Sequence, residues 1–258
     1  KILNYDGLTI PSWIDEVGEY AFANITDLKP STLTISCSKL SKGAFYGCNQ
    51  IVNFVLNGNL NTIDECAFCG TSLKGNLVIP PAVTKIGESA FQGCFQLSGS
   101  LEFPDSVTKV DSKAFMGCEK LNGHVTFGRD ITTIGNQAFA DCSGFIEYLT
   151  FPERLYNSQK LSIGQAAFYG CSGFKGDLIL PKGASRGCSG FDGKLDLYDM
   201  KSVPEGAFYD CFGFTGTIPT KDLESIDKHA FHGCYGFTGP LDLSSLKTEK
   251  DDQGKETG

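Results

Sequence analysis

Residues 79–94 are Ile-Pro-Pro-Ala-Val-Thr-Lys-Ile-Gly-Glu-Ser-Ala-Phe-Gln-Gly-Cys, and they contain the motif from which the architecture follows. The centre of this motif is Ala-Phe followed by two residues and Cys. With its degenerate copies it occurs ten times along the 258 residues. The phenylalanine positions of successive copies are 23 or 24 residues apart, except for one step of 29 and one of 17. A fixed period of this length is typical of solenoid proteins, in which each repeat forms one coil.

Between the Ala-Phe motifs, each period predicts a short strand and a return segment. Residues 101–103 are Leu-Glu-Phe, which is the alternation of a strand with one buried face. The next apolar pair, Val107 and Val110, predicts a segment that is extended and then turns through about one helical or 3₁₀ turn. Glycines such as Gly99, Gly87 and Gly135 are predicted to allow backbone bends at the corners of the coil.

One such coil cannot bury its own apolar residues, so the coils must stack. The sequence therefore predicts a repeat solenoid of about ten coils of 23–24 residues over residues 1–246. We expect a parallel β-sheet on one face, with short extended segments and 3₁₀ or helical turns on the return side. The first coil is partial, and irregular coils are predicted near residues 153–160 and 182–188. Residues 247–258 contain no apolar residue and are predicted to be a polar flexible tail.

The full motif, Ile/Leu-Pro-x-x-Val-Thr-x-Ile-Gly-x-x-Ala-Phe-x-Gly-Cys, resembles the BspA-like, Treponema pallidum-type class of leucine-rich repeats. The resemblance covers residues of about 8 to 246 and implies a leucine-rich-repeat solenoid. Members of that family are typically surface-displayed or secreted proteins of bacteria and some protists. The resemblance therefore implies adhesion to, or recognition of, host or neighbouring macromolecules.

Composition and charge narrow the range of partners. Lys and Arg total 22 against 30 Asp and Glu, so the net charge of -8 provides no basic field for nucleic acid or anionic lipid. No apolar run approaches the roughly 18 residues of a membrane span, so no membrane insertion is predicted. The chain begins at Lys1 with neither Met nor an apolar signal segment, and we interpret it as a mature or excised fragment. We expect a location at the cell surface or outside the cell, with an intracellular scaffold as the open alternative.

Eight of the eleven cysteines occupy the last position of the motif, at residues 48, 94, 118, 142, 171, 188, 211 and 234. Parallel Cβ vectors one coil apart are too far from each other for disulfides, so we predict a ladder of buried free thiols. Cys66 and Cys69 form a C-x-x-C and are a candidate disulfide or redox pair. A structural zinc needs four ligands. The other candidate pair of ligands, His229 and His232, lies seven coils away from Cys66 and Cys69. No metal or other cofactor is therefore predicted.

Strand alternation predicts which residues face solvent along the sheet. With Leu101 and Phe103 in the core, Ser100 and Glu102 point outward. Carrying this register from coil to coil predicts a ligand-binding face of Asn76, Val78, Ser100, Glu102, His124, Thr126, Tyr148, Thr150, Asp177, Ile179, Lys194, Asp196 and Asp242. The frame repeats while these positions vary, as expected of a rigid recognition surface.

Signatures of catalysis are weak in this sequence. None of the three histidines is expected to have a nucleophile within hydrogen-bonding reach. Asn24 begins an N-glycosylation triplet, Asn-Ile-Thr. We therefore predict a non-catalytic module that binds a protein or glycan, such as a host surface or matrix protein. The alternative is a structural coat or matrix component that self-associates through its coil ends.

Overall fold

Short strands separated by corners recur along the chain. The computed structural model describes residues 7–26, 32–156, 161–175, 178–179, 193–197, 201–203, 205–209, 211–246, 249–250 and 256–257. The strands are β1 (Leu8–Ile10), β2 (Glu16–Val17), β3 (Leu33–Ile35), β4 (Lys39–Leu40), β5 (Phe54–Leu56), β6 (Thr62–Ile63), β7 (Gly75–Asn76), β8 (Lys85–Ile86), β9 (Leu97–Ser98), β10 (Leu101–Glu102), β11 (Lys109–Val110), β12 (Val125–Thr126), β13 (Thr133–Ile134), β14 (Leu149–Thr150), β15 (Ser162–Ile163), β16 (Leu178–Ile179), β17 (Leu195–Asp196), β18 (Ser202–Val203), β19 (Ser225–Ile226), β20 (Glu249–Lys250) and β21 (Glu256–Thr257). In the predicted polar tail, β20 and β21 pair antiparallel.

The strands with the predicted alternation of buried and exposed side chains form parallel pairs from coil to coil. We call this set of strands the first ladder. It consists of the sheets β1-β3-β5, β10-β12-β14 and β16-β17. Leu101 pairs with Val125 and Val125 with Leu149, so the register advances by one repeat period per coil. The ladder is interrupted between β5 and β10, where residues 77–79 lie outside any strand and β7 pairs with β9. The predicted parallel-sheet solenoid is confirmed.

The return segments also form a parallel sheet, the second ladder, which the sequence analysis did not predict. Its strand order is β15-β13-β11-β8-β6-β4-β2, the largest sheet among the residues that the structure describes. In β11, Val110 is buried and Lys109 is only half-buried. The Asp111 N–H donates to the Ile86 carbonyl of the preceding coil at 2.8 Å. Extended return segments pair in this way because buried backbone groups need hydrogen-bond partners.

The Ala-Phe motif forms a turn whose backbone N–H groups alternate between two kinds of acceptor. The N–H groups of Ala114, Met116 and Cys118 donate to carbonyls three residues earlier, at 3.0–3.3 Å. The N–H groups of residues 113, 115 and 117 donate instead to carbonyls of the next coil, at 2.7–2.9 Å. Because half of the donors join the coils, the turns do not grow into helices. Among the described residues the only α-helix is α1 (Glu153–Tyr156), within the predicted irregular coil.

Left-handed backbone conformations explain the glycine of the motif. Gly117 has a φ of 75°, and Asp141 occupies the corresponding position of the next coil with a φ of 60°. Glycine adopts this region without strain, and Asp is one of the few other residues that tolerate it. For Gly87 and Gly135 the predicted reason was wrong, because neither has a positive φ. A Cβ on either would collide with backbone atoms of the preceding coil, so they permit close stacking instead.

Phenylalanine rings form a column through the core. The motif rings at positions 22, 45, 68, 91, 115, 139 and 168 stack on one another with centroids 5.1–5.6 Å apart and planes within 17°. A second column of Phe103, Phe127 and Phe151 meets the first edge to face. Stacked and edge-to-face arrangements are the favourable geometries for aromatic pairs.

The motif cysteines lie beside this column as a ladder of thiols. Those at positions 48, 94, 118, 142, 171 and 211 are buried and Cys234 is half-buried, whereas Cys188 lies outside the described residues. The Cys118 thiol donates to the Phe91 carbonyl at 3.2 Å, and the Cys142 thiol to the Phe115 carbonyl at 3.0 Å. Burial raises the pKa of the Cys94 thiol to about 12. Cys94 therefore remains a neutral thiol that packs between coils.

Replacement of one ring in the column should be costly. We expect Phe115→Ala to lower the free energy of unfolding by about 3–5 kcal/mol, because the ring is fully buried between two stacked neighbours. Tyr169→Ala is the control, since that ring is 52% exposed, and it should change stability by less than about 1 kcal/mol. Urea unfolding followed by circular dichroism measures both. Equal losses for the two variants would contradict the role of the column.

Two glycine-to-alanine substitutions separate backbone strain from loss of flexibility. Gly117→Ala should lower stability by about 1–2 kcal/mol, because its φ of 75° strains any residue with a Cβ. Gly58→Ala should be neutral or slightly stabilising, because a Cβ there meets nothing within 4 Å. Thermal unfolding of the two variants gives the comparison. A loss at position 58 as large as at 117 would refute this explanation of the motif glycine.

Candidate ligand-binding face

The outward side of the first ladder presents the side chains that the sequence analysis assigned to a binding face. Leu101 and Phe103 are buried on one side of the chain, and Glu102 between them is exposed. The same alternation recurs in the next two coils. We call the outward side chains of residues 76–150, from the interruption of the ladder through β10, β12 and β14, the sheet face.

The structure places the predicted residues as follows. Those that are exposed are Asn76, Val78, Glu102, Tyr148, Thr150, Lys194, Asp196 and Asp242. Those that are half-buried are Ser100, His124 and Thr126. Ile179 belongs to β16, but its side chain is outside the described part of the structure, as is Asp177 altogether. The face is thus described continuously only from Asn76 to Thr150.

A groove opens in the sheet face where the first ladder is interrupted. Its volume is about 410 Å³, and it is lined by Asn76, Leu77, Val78, Ile79, Ser100, Glu102, Phe103, Pro104 and Thr126. Val78 is 66% exposed at its edge. Gly99, with a φ of 82°, turns the chain between β9 and β10. The uniform register carried along the sequence did not predict this groove, and the only signal for it was the glycine before residue 100.

A polar cluster lies beside the groove, with His124 at its centre. The His124 Nδ1 atom is 3.0 Å from Glu147 Oε2, and Nε2 is 3.5 Å from Glu102 Oε1. The imidazole ring stacks on Tyr148 with centroids 4.8 Å apart and planes within 9°. Glu147 was not predicted because strict alternation with Leu149 in the core would point residue 147 inward, whereas its side chain is exposed. The cluster offers two carboxylates and an aromatic surface to a ligand.

One expectation about histidine was wrong. No nucleophile was expected within reach of any histidine, but the Ser100 Oγ atom lies 3.2 Å from His124 Nδ1. The side chains meet because positions 100 and 124 are neighbours across one coil step. Ser100 Oγ also accepts a hydrogen bond from the His124 backbone N–H at 3.3 Å.

The other candidate residues lie at the corners of the coils. Cys66 and Cys69 are half-exposed thiols that flank Ala67-Phe68. Asn24 is exposed and has a φ of 56°, at the position that is glycine in most other coils. Within the described residues, no three His, Cys, Asp or Glu side chains come together in a group that could hold a metal ion. No helix in the described part of the chain is long and apolar enough to cross a membrane.

Solved structures share this architecture. A leucine-rich repeat protein of T. pallidum is 27% identical, with a TM-score of 0.54 over 65% of this chain and 78% of that one. A leucine-rich repeat protein from Bacteroides ovatus is 20% identical, with a TM-score of 0.63 over 90% of this chain and 59% of that one. One from Eubacterium ventriosum is 17% identical, with a TM-score of 0.51 over 94% and 74% of the two chains. No curated protein matches the sequence.

Family comparison identifies the repeat itself. The model of the BspA type leucine-rich repeat region, in six copies, matches residues 2–98, 98–186 and 198–247. These ranges cover most of the chain and include the coils that form both ladders. The chain belongs to the family of proteins with BspA-type leucine-rich repeats.

Proposed function

We propose that the chain binds a protein ligand through the sheet face, without catalysis. The observation that carries this proposal is the groove of about 410 Å³ next to the His124 cluster. The groove combines the exposed Val78 with the apolar atoms of Phe103 and Pro104. Apolar contacts of this kind, surrounded by polar groups, are the usual composition of a protein recognition site.

Charge defines the chemistry of the proposed partner. The Glu102 side chain is 76% exposed and that of Glu147 is 49% exposed. His124 contacts both carboxylates, and a single imidazole cannot neutralise two negative charges. The chain as a whole carries a net charge of -8. A partner segment with Arg or Lys next to an apolar residue is complementary to this surface, since opposite charges favour encounter and register.

A non-catalytic role is supported by the hydrogen bonds of the cluster. Ser100 and His124 are the pair that most resembles a hydrolytic arrangement, yet Glu147 is closer to Nδ1 than Ser100 is. A serine nucleophile needs a base that is available to take its proton, and here the carboxylate competes for the same nitrogen atom.

We further propose that the protein acts at a cell surface or outside the cell. Support comes from the family, whose members are typically surface-displayed or secreted. In that setting the partner is a host surface or matrix protein, or a protein of a neighbouring cell. Buried thiols such as Cys118 are compatible with an oxidising environment because solvent oxidants do not reach them.

A peptide-display selection against the full chain tests the binding proposal. We expect selected peptides to combine Arg or Lys with an apolar residue. Their affinity should fall about tenfold with Val78→Asp and by a similar factor with Glu102→Gln and Glu147→Gln together. Binding should also weaken as the salt concentration rises, because the carboxylates are exposed.

Glu119→Gln is the matched control, since it removes an exposed carboxylate outside the sheet face and should not change affinity. Peptides that bind all variants equally would refute the proposed face. Binding to a glycan array with no selected peptide would refute the protein ligand.

Self-association through the coil ends is the second candidate function. The last coil has an apolar groove of about 500 Å³ lined by Ile218, Ile226, Asp227, His229, Ala230, Phe231, His232, Leu241, Leu243 and Leu246. Leu243 is 47% exposed there. At the other end Phe22 is only half-buried, and the Phe231 ring in the groove is half-buried as well. Phe22 stacks on Phe45 and Phe231 on Phe208. Head-to-tail stacking of two copies would bring the Phe22 and Phe231 rings together.

Light scattering over a range of protein concentrations tests this candidate. If the ends stack, the apparent mass should rise with concentration, and Leu243→Lys should abolish the rise because it places a charge in the apolar contact. Ser143→Lys, at an exposed position away from the ends, is the control and should have no effect. A constant monomer mass for the unchanged chain would exclude end-to-end assembly.

A further inference from the structure

Two half-exposed thiols occupy one corner of the solenoid. Cys66 precedes Ala67-Phe68 and has a φ of 53°, and Cys69 follows them. The Cys69 N–H donates to the Cys66 carbonyl at 3.1 Å, which closes a four-residue turn. The Cys66 N–H donates to the Glu88 carbonyl of the next coil at 2.8 Å. The backbone therefore holds both cysteines at defined positions of a hydrogen-bonded turn.

The side chains at these two turn positions face each other. The two thiols are close enough that each shifts the pKa of the other. In another coil the same two positions are His229 and His232, whose ring centroids are 5.7 Å apart. A turn of this kind brings its first and last Cα atoms within about 7 Å, and disulfides require about 4.4–6.8 Å. The geometry is therefore that of a dithiol which can close.

We propose that Cys66 and Cys69 form a disulfide within the turn by exchange with a low-molecular-weight disulfide. In the first step, one cysteine sulfur attacks the small disulfide, which releases one small thiol and leaves a mixed disulfide. In the second step the other cysteine sulfur attacks the protein sulfur and releases the second small thiol. The protein loses two protons and two electrons, and one small disulfide is reduced to two thiols.

The surroundings of the two thiols determine which sulfur attacks the small disulfide first. Burial raises the pKa of both thiols, and raises that of Cys69 to about 12. The neighbouring Cys69 thiol favours the Cys66 thiolate, and of the nearby charges Lys42 favours it while Glu65 and Glu88 oppose it. Because the rise in pKa is larger for Cys69, Cys66 attacks first. Lys42 is held at the corner by its ion pair with Glu65, at 2.8 Å.

The buried ladder provides an internal comparison. Cys94 and Cys118 are fully buried and separated from solvent by their neighbouring coils. Exchange requires access of the small disulfide to the attacking sulfur. Oxidation should therefore be confined to the corner pair while the fold is intact.

Mass spectrometry after exchange with glutathione disulfide tests the proposal on the folded full-length chain. Free thiols are trapped with N-ethylmaleimide in denaturant, and the peptides are then identified. We expect the peptide with Cys66 and Cys69 to be about 2 Da lighter than the dithiol and to carry no maleimide, while Cys94 and Cys118 are alkylated. Cys69→Ser should accumulate a glutathione adduct on Cys66, at least tenfold faster than Cys66→Ser accumulates one on Cys69.

A second pair of positions tests the turn geometry independently of the natural cysteines. Lys113 and Met116 occupy the same positions of another coil, with a φ of 58° and a turn hydrogen bond of 3.0 Å. With Cys66 and Cys69 changed to serine, Lys113→Cys together with Met116→Cys should also close. If the natural pair stays reduced in excess glutathione disulfide, or carries two glutathione adducts, the proposal is overturned.

Discussion

Every coil must lie about 5 Å from the next, and the rest of the structure depends on this spacing. Hydrogen-bonded strands require roughly 4.8 Å between neighbours, and the motif rings stack at 5.1–5.6 Å. Both ladders and the turn at residues 113–117 bond between coils at this one separation. A bulky corner residue would force coils apart, which is why Gly87 and Gly135 carry no side chain.

Sequence predicts most of this frame because the constraint acts equally on every coil. The period of 23–24 residues, the ring position and the burial of Leu101 and Phe103 all follow from repetition. Other features depend on the path of the backbone, and the pattern of apolar side chains in the sequence does not reveal that path. The second ladder arises because Lys109 and Val110 lie opposite their counterparts one coil away. Apolar periodicity marks Val110 as buried but does not reveal that pairing.

The candidate site likewise has features that the sequence predicts and features that it does not. Alternation places Glu102, His124 and Tyr148 on one face, and the structure brings them into contact. Neither the groove next to Val78 nor the approach of Glu147 was predicted, because both arise where the regular register ends. Recognition and the corner dithiol thus use the variable positions, while the rings, glycines and buried thiols maintain the frame.

Amide hydrogen exchange resolved by residue shows whether the coils are joined at their turns as well as through their strands. The N–H groups of Lys113, Phe115 and Gly117 bond to the next coil. They should exchange as slowly as those of β11 (Lys109–Val110), since both open only when coils separate. If these turn amides exchange orders of magnitude faster than the strand amides, the strands alone hold the solenoid together and the account is contradicted.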